Sequence, residues 1–309
     1  MMLSVNKLTV AFAGKAKFAP VLEDLWLELG SGETVALVGE SGAGKSVFIE
    51  AVLRLLPASC RVTGEIHYQG HNLLALPQSE FRRFLGRELA WVPQSASGAL
   101  HPMLPIGLQL MEPLLARGMK RQAAWAEIEP LLESLDLKPA RQVAQSYPHQ
   151  LSGGMRQRAL VAAALAQKPK VLLVDEPTKG VDTERRQQVI ALFQEAKQLQ
   201  PELSVLVVSH DLDLVEALAD RVVVLYAGQL VEATSRQAFF SEPRHPFAKA
   251  LLAALPKNGL EALPWAESRS VTGCRFHPRC PKALERCQSD EPQVTLHEHT
   301  HVRCWLYAN

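Results

Sequence analysis

The chain has 309 residues, 47% of them hydrophobic, and a formal net charge of +1 at pH 7. That length holds one large domain or a domain with an appendage, and the apolar share is that of a protein with a real core. The near-neutral balance gives no compositional case for a nucleic-acid partner or an acidic substrate, and no apolar run approaches the ~18 residues of a membrane span. The opening Met1-Met2-Leu3-Ser4-Val5-Asn6-Lys7 lacks the basic-then-apolar plan of a secretory signal, so the chain is expected in the cytosol.

Residues 3–12 and 21–29 alternate apolar and polar side chains and read as two strands of a small antiparallel sheet. Phe12 stands upstream of a glycine-rich stretch, where its ring either stacks on an adenine or fills the core as part of an alternating strand. Thr34–Val38 is a short apolar strand. It runs into Gly39-Glu40-Ser41-Gly42-Ala43-Gly44-Lys45-Ser46, and Val47–Leu56 follows as a helix. Strand, G-x-x-x-x-G-K-S and helix together describe a loop whose amides cradle phosphate oxygens at a positive helix end. Gly39, Gly42 and Gly44 permit the backbone angles, and Ser41 lies within the loop. Lys45 is expected on the β- and γ-phosphates, with the Ser46 hydroxyl on Mg²⁺.

Gly64–Gly70 reads as a further strand of the small sheet, Ser79–Arg87 as a helix and Glu88–Pro93 as a strand. Gln94 follows at once, within reach of a metal or an attacking water. Leu104–Gln167 has helical periodicity, broken by turns near Gly118, Lys138-Pro139 and Pro148, and reads as a helical insert. At its end Leu151-Ser152-Gly153-Gly154-Met155 opens a helix with Ser152 as cap, a second anion-binding helix start or a capped helix and nothing more. Val171–Val174 has no polar face, as expected of a strand buried in a parallel sheet. It delivers Asp175 and Glu176 to the strand's carboxyl end, where open α/β sheets bind ligands. Asp175 suits Mg²⁺ and Glu176 suits the base for a water attacking the γ-phosphate. Leu203–Val208 repeats the pattern and ends at His210, placed to sense that phosphate. Arg221–Tyr226 and Gln229–Glu232 form a hairpin that completes a doubly wound α/β core with a β flank.

Phosphate loop, Gln94, Leu-Ser-Gly-Gly, the strand ending Asp175-Glu176, and His210, in that order, resemble the ATP-binding subunit of ABC transporters over about residues 3–243. The resemblance implies a P-loop NTPase (ABC ATPase) core at 1–243. An antiparallel β subdomain and an inserted helical subdomain at about 95–167 belong to it. It also implies head-to-tail pairing with a second ABC ATPase subunit, a paralogue rather than a second copy. Ser152, Gly153 and Gly154 would then grip the γ-phosphate in trans, while Lys45, Ser46, Gln94, Asp175, Glu176 and His210 act in cis and Asp182 sits at the interface. Phe239–Phe247, with Leu251-Leu252 and Pro256, resembles the tail of the oligopeptide/dipeptide/nickel importer ATPases, as do Leu76-Pro77 and Phe81–Glu88. By that likeness the chain docks at the cytoplasmic face of the membrane on two multi-span permease subunits. An extracytoplasmic substrate-binding protein is an indirect partner, and the cargo is a peptide or a nickel or other metal chelate. A soluble ABC ATPase acting as scaffold and a metal-sensing regulatory ATPase are the alternatives. Two departures stand out: the run Ser95–Pro102 opens with Ser95-Ala96 where the family usually has an acidic residue and proline next to the glutamine, and Lys179-Gly180 replaces small or hydroxyl residues before Val181-Asp182.

Residues 244–309 read as a small Cys-rich extension. Cys274, Cys280, Cys287 and Cys304 are spaced C-x5-C-x6-C-x16-C, within the wider pattern Cys274-x-Phe276-x-x-Arg279-Cys280. In a reducing compartment such a group favours metal over disulfides. Zinc sites show tighter pairs, and the resemblance implies a [4Fe–4S] cluster here, with Zn²⁺ or reduced or disulfide-bonded cysteines as the alternatives. Such a centre would staple a segment too small to build its own core.

Overall fold

The computed structural model describes residues 1–13, 18–260 and 272–308. Its strands are β1 (Leu3–Ala13), β2 (Phe18–Leu29), β3 (Thr34–Gly39), β4 (Arg61–Tyr68), β5 (His71–Asn72), β6 (Leu89–Val92), β7 (Val171–Asp175), β8 (Ser204–Ser209), β9 (Arg221–Tyr226), β10 (Gln229–Ser235), β11 (Val294–His297) and β12 (Thr300–Arg303). They form two sheets. One is a four-stranded antiparallel sheet in the order β2-β1-β4-β5, and the other is eight-stranded in the order β11-β12-β10-β9-β3-β8-β7-β6. From β9 to β6 neighbours run parallel, with Val38 level with Ser209 and Asp175 level with Val208.

Every residue of β3, β7 and β8 is buried, because both faces of the sheet are covered. Val35 and Leu37 face a core shared with the small sheet and with Phe48 and Ile49 of the helix Lys45–Val52. Ala36 and Val38 face the opposite core, which holds Leu110, Ile128 and Val161 of the helices Ile106–Leu115, Arg121–Ser134 and Gly153–Leu165. The carboxyl ends of β3, β8, β7 and β6, neighbours in the sheet, therefore open onto one rim.

Two expectations change. The helix over Ser79–Arg87 is only Gln78–Phe81. The chain then turns back, with Gly86 at φ 75° and its N–H donating to the Leu89 carbonyl at 2.7 Å. The large sheet also does not end at β10. β12 pairs antiparallel with β10, with Glu232 opposite Val302, and β11 closes the edge. The C-terminal segment is thereby continuous with the core. Tyr226, Phe247 and Phe276 cluster behind it in tilted and edge-to-face contacts, with centroids 4.6, 5.1 and 5.5 Å apart. Buried Glu232 accepts from the backbone N–H groups of Arg244 and His245. His245 caps the helix Pro246–Ala253 by accepting from the Phe247 N–H at 3.0 Å. Burial pushes its pKa down to about 3, which keeps Nδ1 free to accept.

Candidate nucleotide site

The loop after β3 takes its shape from its glycines. A Cβ on Gly39 would lie 2.2 Å from the Leu225 carbonyl oxygen, so the loop and β9 approach too closely for any side chain. Gly44 has φ 106°, and a Cβ there would meet Leu22 at 2.4 Å. The helix Lys45–Val52 starts directly after it with no side-chain cap, so its first N–H groups face the loop's mouth.

Lys45 is buried beneath the loop. Its Nζ donates to the carbonyls of Gly39 at 2.8 Å and Glu40 at 3.0 Å, and lies 3.3 Å from Glu176 Oε1. The other oxygen of Glu176 bonds His210 Nδ1. Cation, carboxylate and imidazole thus form one chain across β3, β7 and β8. Ser46 Oγ donates to Asp175 Oδ1 at 3.1 Å, which joins the loop to β7 a second time. Burial pushes the Asp175 carboxyl above the usual carboxylate range, the Ser46 bond opposes it, and the neighbouring Glu176 charge adds to it. A cation between Ser46 and Asp175 would restore the charged carboxylate, so this donor pair fits Mg²⁺. Glu176 adopts φ 45°, a left-handed conformation that non-glycine residues rarely hold. Its N–H is tied to the Val208 carbonyl at 2.9 Å, and strain of this kind concentrates where geometry matters for function.

These groups surround a cavity of about 310 Å³ lined by Val21, Ser41, Gly42, Gly44, Lys45, Ser46, Val47, Gln94, Glu176 and Lys179. Gln94 reaches it from just beyond the end of β6. Lys179, which the family pattern marks only as a departure, also lines it, three residues after Glu176. Phe12 is half-buried in β1 against the small-sheet core and is not part of this lining.

Ser152, Gly153 and Gly154 stand apart. Ser152 Oγ accepts from the Met155 N–H at 3.2 Å and caps the helix Gly153–Leu165. Gly153 and Gly154 are exposed, and a Cβ on either would meet nothing within 4 Å. They border a separate cavity of about 230 Å³ with Gly180, Val181, Asp182 and Arg185. Asp182 caps the helix Thr183–Leu199 by accepting from the Arg185 N–H at 2.9 Å. Within one chain the signature and the phosphate loop therefore line different cavities.

The cysteines Cys287 and Cys304 are buried, Cys274 and Cys280 half-buried, and all are free thiols. Burial raises Cys274 and Cys280, and pushes Cys304 up to about 11, with the other three thiols adding to it. The four are neighbours. Yet among the described residues no group of three or more His, Cys, Asp or Glu is arranged to hold a metal ion. The expected [4Fe–4S] or zinc centre thus has the donor chemistry without a formed site.

The model of the family "ABC transporter" matches residues 22–179, and that of "Oligopeptide/dipeptide transporter, C-terminal region" matches residues 231–287. The chain is 36% identical to the oligopeptide transport ATP-binding protein AppD of Bacillus subtilis (strain 168), over 99% of this chain and 97% of that protein. It is 37% identical to the dipeptide transport ATP-binding protein DppD of the same organism, over 98% and 94%. Among solved structures, a dimeric ATP-binding cassette bound to ADP and Pi in a post-hydrolysis state matches with TM-score 0.66 at 24% identity, covering 76% of this chain and 99% of that one. The cbiO1 protein of Clostridium perfringens, part of an ABC transporter complex, matches with TM-score 0.67 at 20% identity, over 82% and 95%. These two share the fold. With the phosphate loop, the Asp175-Glu176 strand end and the signature helix all inside or beside the matched span, the chain belongs to the ABC transporter family, among the ATP-binding proteins of the oligopeptide/dipeptide transport type.

Proposed function

We propose that this ABC-type ATPase is one of the two ATPase subunits of an importer and hydrolyses ATP to move a peptide through a membrane permease. The observation that carries the reading is the Lys45–Glu176–His210 chain beside the Ser46–Asp175 pair, at the rim where four parallel strands end. Lys45 and the loop amides bind the β- and γ-phosphates. Ser46, Asp175 and Gln94 would hold Mg²⁺, which would offset phosphate charge. Glu176 takes the proton of the attacking water, and His210 holds the Glu176 carboxylate in position. Gly153 and Gly154 line a cavity apart from this chain's own phosphate cavity, which supports the action of Ser152, Gly153 and Gly154 on nucleotide bound by a partner ATPase subunit. Asp182 lies beside them at that junction. Phe12, near the carboxyl end of β1 and outside the phosphate cavity, is proposed as the adenine platform.

The ATP-binding core is residues 1–243, with its helical subdomain at about 95–167, and 244–309 is the C-terminal extension. The subunit docks on the cytoplasmic face: no helix among the described residues is long and apolar enough to cross a membrane, so transport needs permease partners. The names of the relatives favour peptide cargo over nickel, and favour an importer over a scaffold or a sensor. A metal centre at Cys274, Cys280, Cys287 and Cys304 stays a secondary proposal, supported by four adjacent free thiols; no step of hydrolysis passes through it. Anaerobic purification with absorption spectra and iron and zinc analysis decides it, and metal-free protein of full activity would end it. The principal reading is tested by reconstituting the chain with its paired ATPase and permease in vesicles. ATP-dependent uptake of labelled peptide is expected, and uptake that persists without this subunit would overturn the reading.

A further inference from the structure

Arg279 belongs to the cysteine segment, yet its guanidinium grips the phosphate loop. Nη1 donates to Glu40 Oε2 at 2.9 Å and Nη2 to Glu40 Oε1 at 2.8 Å, a two-pronged fork that only arginine can make. The two side chains are 15% and 33% exposed, so this is not a bare surface pair. Arg279 Nη1 also reaches Tyr226 Oη at 3.4 Å, and the guanidinium carbon lies 5.8 and 5.9 Å from the Tyr226 and Phe276 ring centroids. Both rings are buried, so the arginine works from a fixed base. Its partner is the loop residue directly after Gly39. The Glu40 carbonyl accepts from Lys45 Nζ and from the Ala43 N–H that closes the loop's turn. Holding the Glu40 carboxylate therefore holds the main chain that aims Lys45.

We infer that Arg279 is a positioning residue of the nucleotide site: through Glu40 it keeps the phosphate loop and Lys45 in phosphate-binding geometry, which makes the C-terminal cysteine segment a working part of that site. The inference rests on the reading of this loop as the ATP site. Arg275, in the same segment, supplies the control. It bonds the Ala227 carbonyl and Glu23, and touches no phosphate-loop residue through these bonds.

The test measures Kd for a fluorescent ATP analogue on the full chain, with thermal melting of each variant without nucleotide. Arg279→Gln and Glu40→Gln should each weaken binding about tenfold, and the double variant should be no worse than either, because partners in one ion pair do not add. Arg279→Lys, which keeps the charge without the fork, should fall between. Arg275→Gln should lower the melting temperature and leave Kd unchanged. Unchanged Kd in Arg279→Gln overturns the inference. So does an equal loss in Arg275→Gln, which would mean that the segment acts only by general stability. If Arg279→Gln does not fold, Arg279→Lys against Arg275→Lys decides in the same way. Wild-type chain that binds no analogue overturns the nucleotide reading itself, and is told apart by that.

Discussion

Two glycine-framed helix starts among the described residues are furnished differently. At Lys45–Val52 the helix start has no side-chain cap, and charged groups crowd it: Lys45, Asp175 and Glu176 are all buried within reach of one cavity. At Gly153–Leu165 the start is already capped by Ser152, and its two glycines are exposed to open space. Buried charges are costly unless they are paired or bind something, so the first start is a finished site. The second offers free backbone amides and a bare approach, which suits contact with a ligand carried on another surface. That difference supports a composite arrangement, in which each chain keeps the chemistry and lends its partner the second helix start.

The comparison breaks most visibly at Glu176. Glu176→Gln preserves the shape beside Lys45 and removes the proposed base, so turnover by the assembled ATPase pair should fall by about 10²–10⁴-fold while ATP binding persists. Retained turnover would move the base elsewhere and leave the two helix starts without their assigned division. The second helix start is probed by Ser152→Asp. Aspartate caps as well as serine, so the melting temperature should stay put, as should ATP binding by the lone chain. A carboxylate facing a γ-phosphate costs several kcal/mol, and turnover by the assembled pair should drop by about 10²-fold. Ser152→Ala separates the two roles from the other side: it forfeits the cap, at about 1 kcal/mol. Normal turnover in Ser152→Asp would reduce the signature to a capped helix.

What could be read in advance follows the range of the interactions. The phosphate loop, the buried apolar runs of β7 and β8, and the acids that end β7 are local patterns, and each element stands within a residue or two of its expectation. Gln94 and His210 were legible because parallel strands place their carboxyl ends on one rim. The pairing of Glu232 with Val302 was not, since β12 is only four residues long and nothing near either strand names its partner. Neither was the Arg279–Glu40 fork, which joins residues 239 apart. The helix expected to run on to Arg87 failed at Gly86, where positive φ turns the chain. The cysteine spacing announced thiols in company, but spacing carries no distances, and a formed metal site does not follow from it.

The smallest expected effect lies on the segment that joins the two helix starts. Glu176 and Lys179 line the phosphate cavity, while Gly180, Val181 and Asp182 line the signature's cavity. Seven residues of chain, 176–182, therefore touch both, and Lys179 is the last of them on the phosphate side. Its charge favours the ionised form of Asp175, against the burial that raises that pKa. An exposed cation contributes little, so Lys179→Ala should raise KM for ATP by about two- to fivefold. The shift should shrink at high salt, as a screened interaction must. The sign of the pH effect is also determined. Proton and Mg²⁺ compete for the Asp175 carboxylate, whose pKa is raised in the metal-free site, so Mg²⁺ binding and with it activity weaken as pH falls. Without Lys179 that pKa rises further, and the acid limb of the pH–rate profile should move to higher pH. An acid limb that stays in place with KM unchanged would mean that Lys179 only bridges the two cavities and does not act in the first.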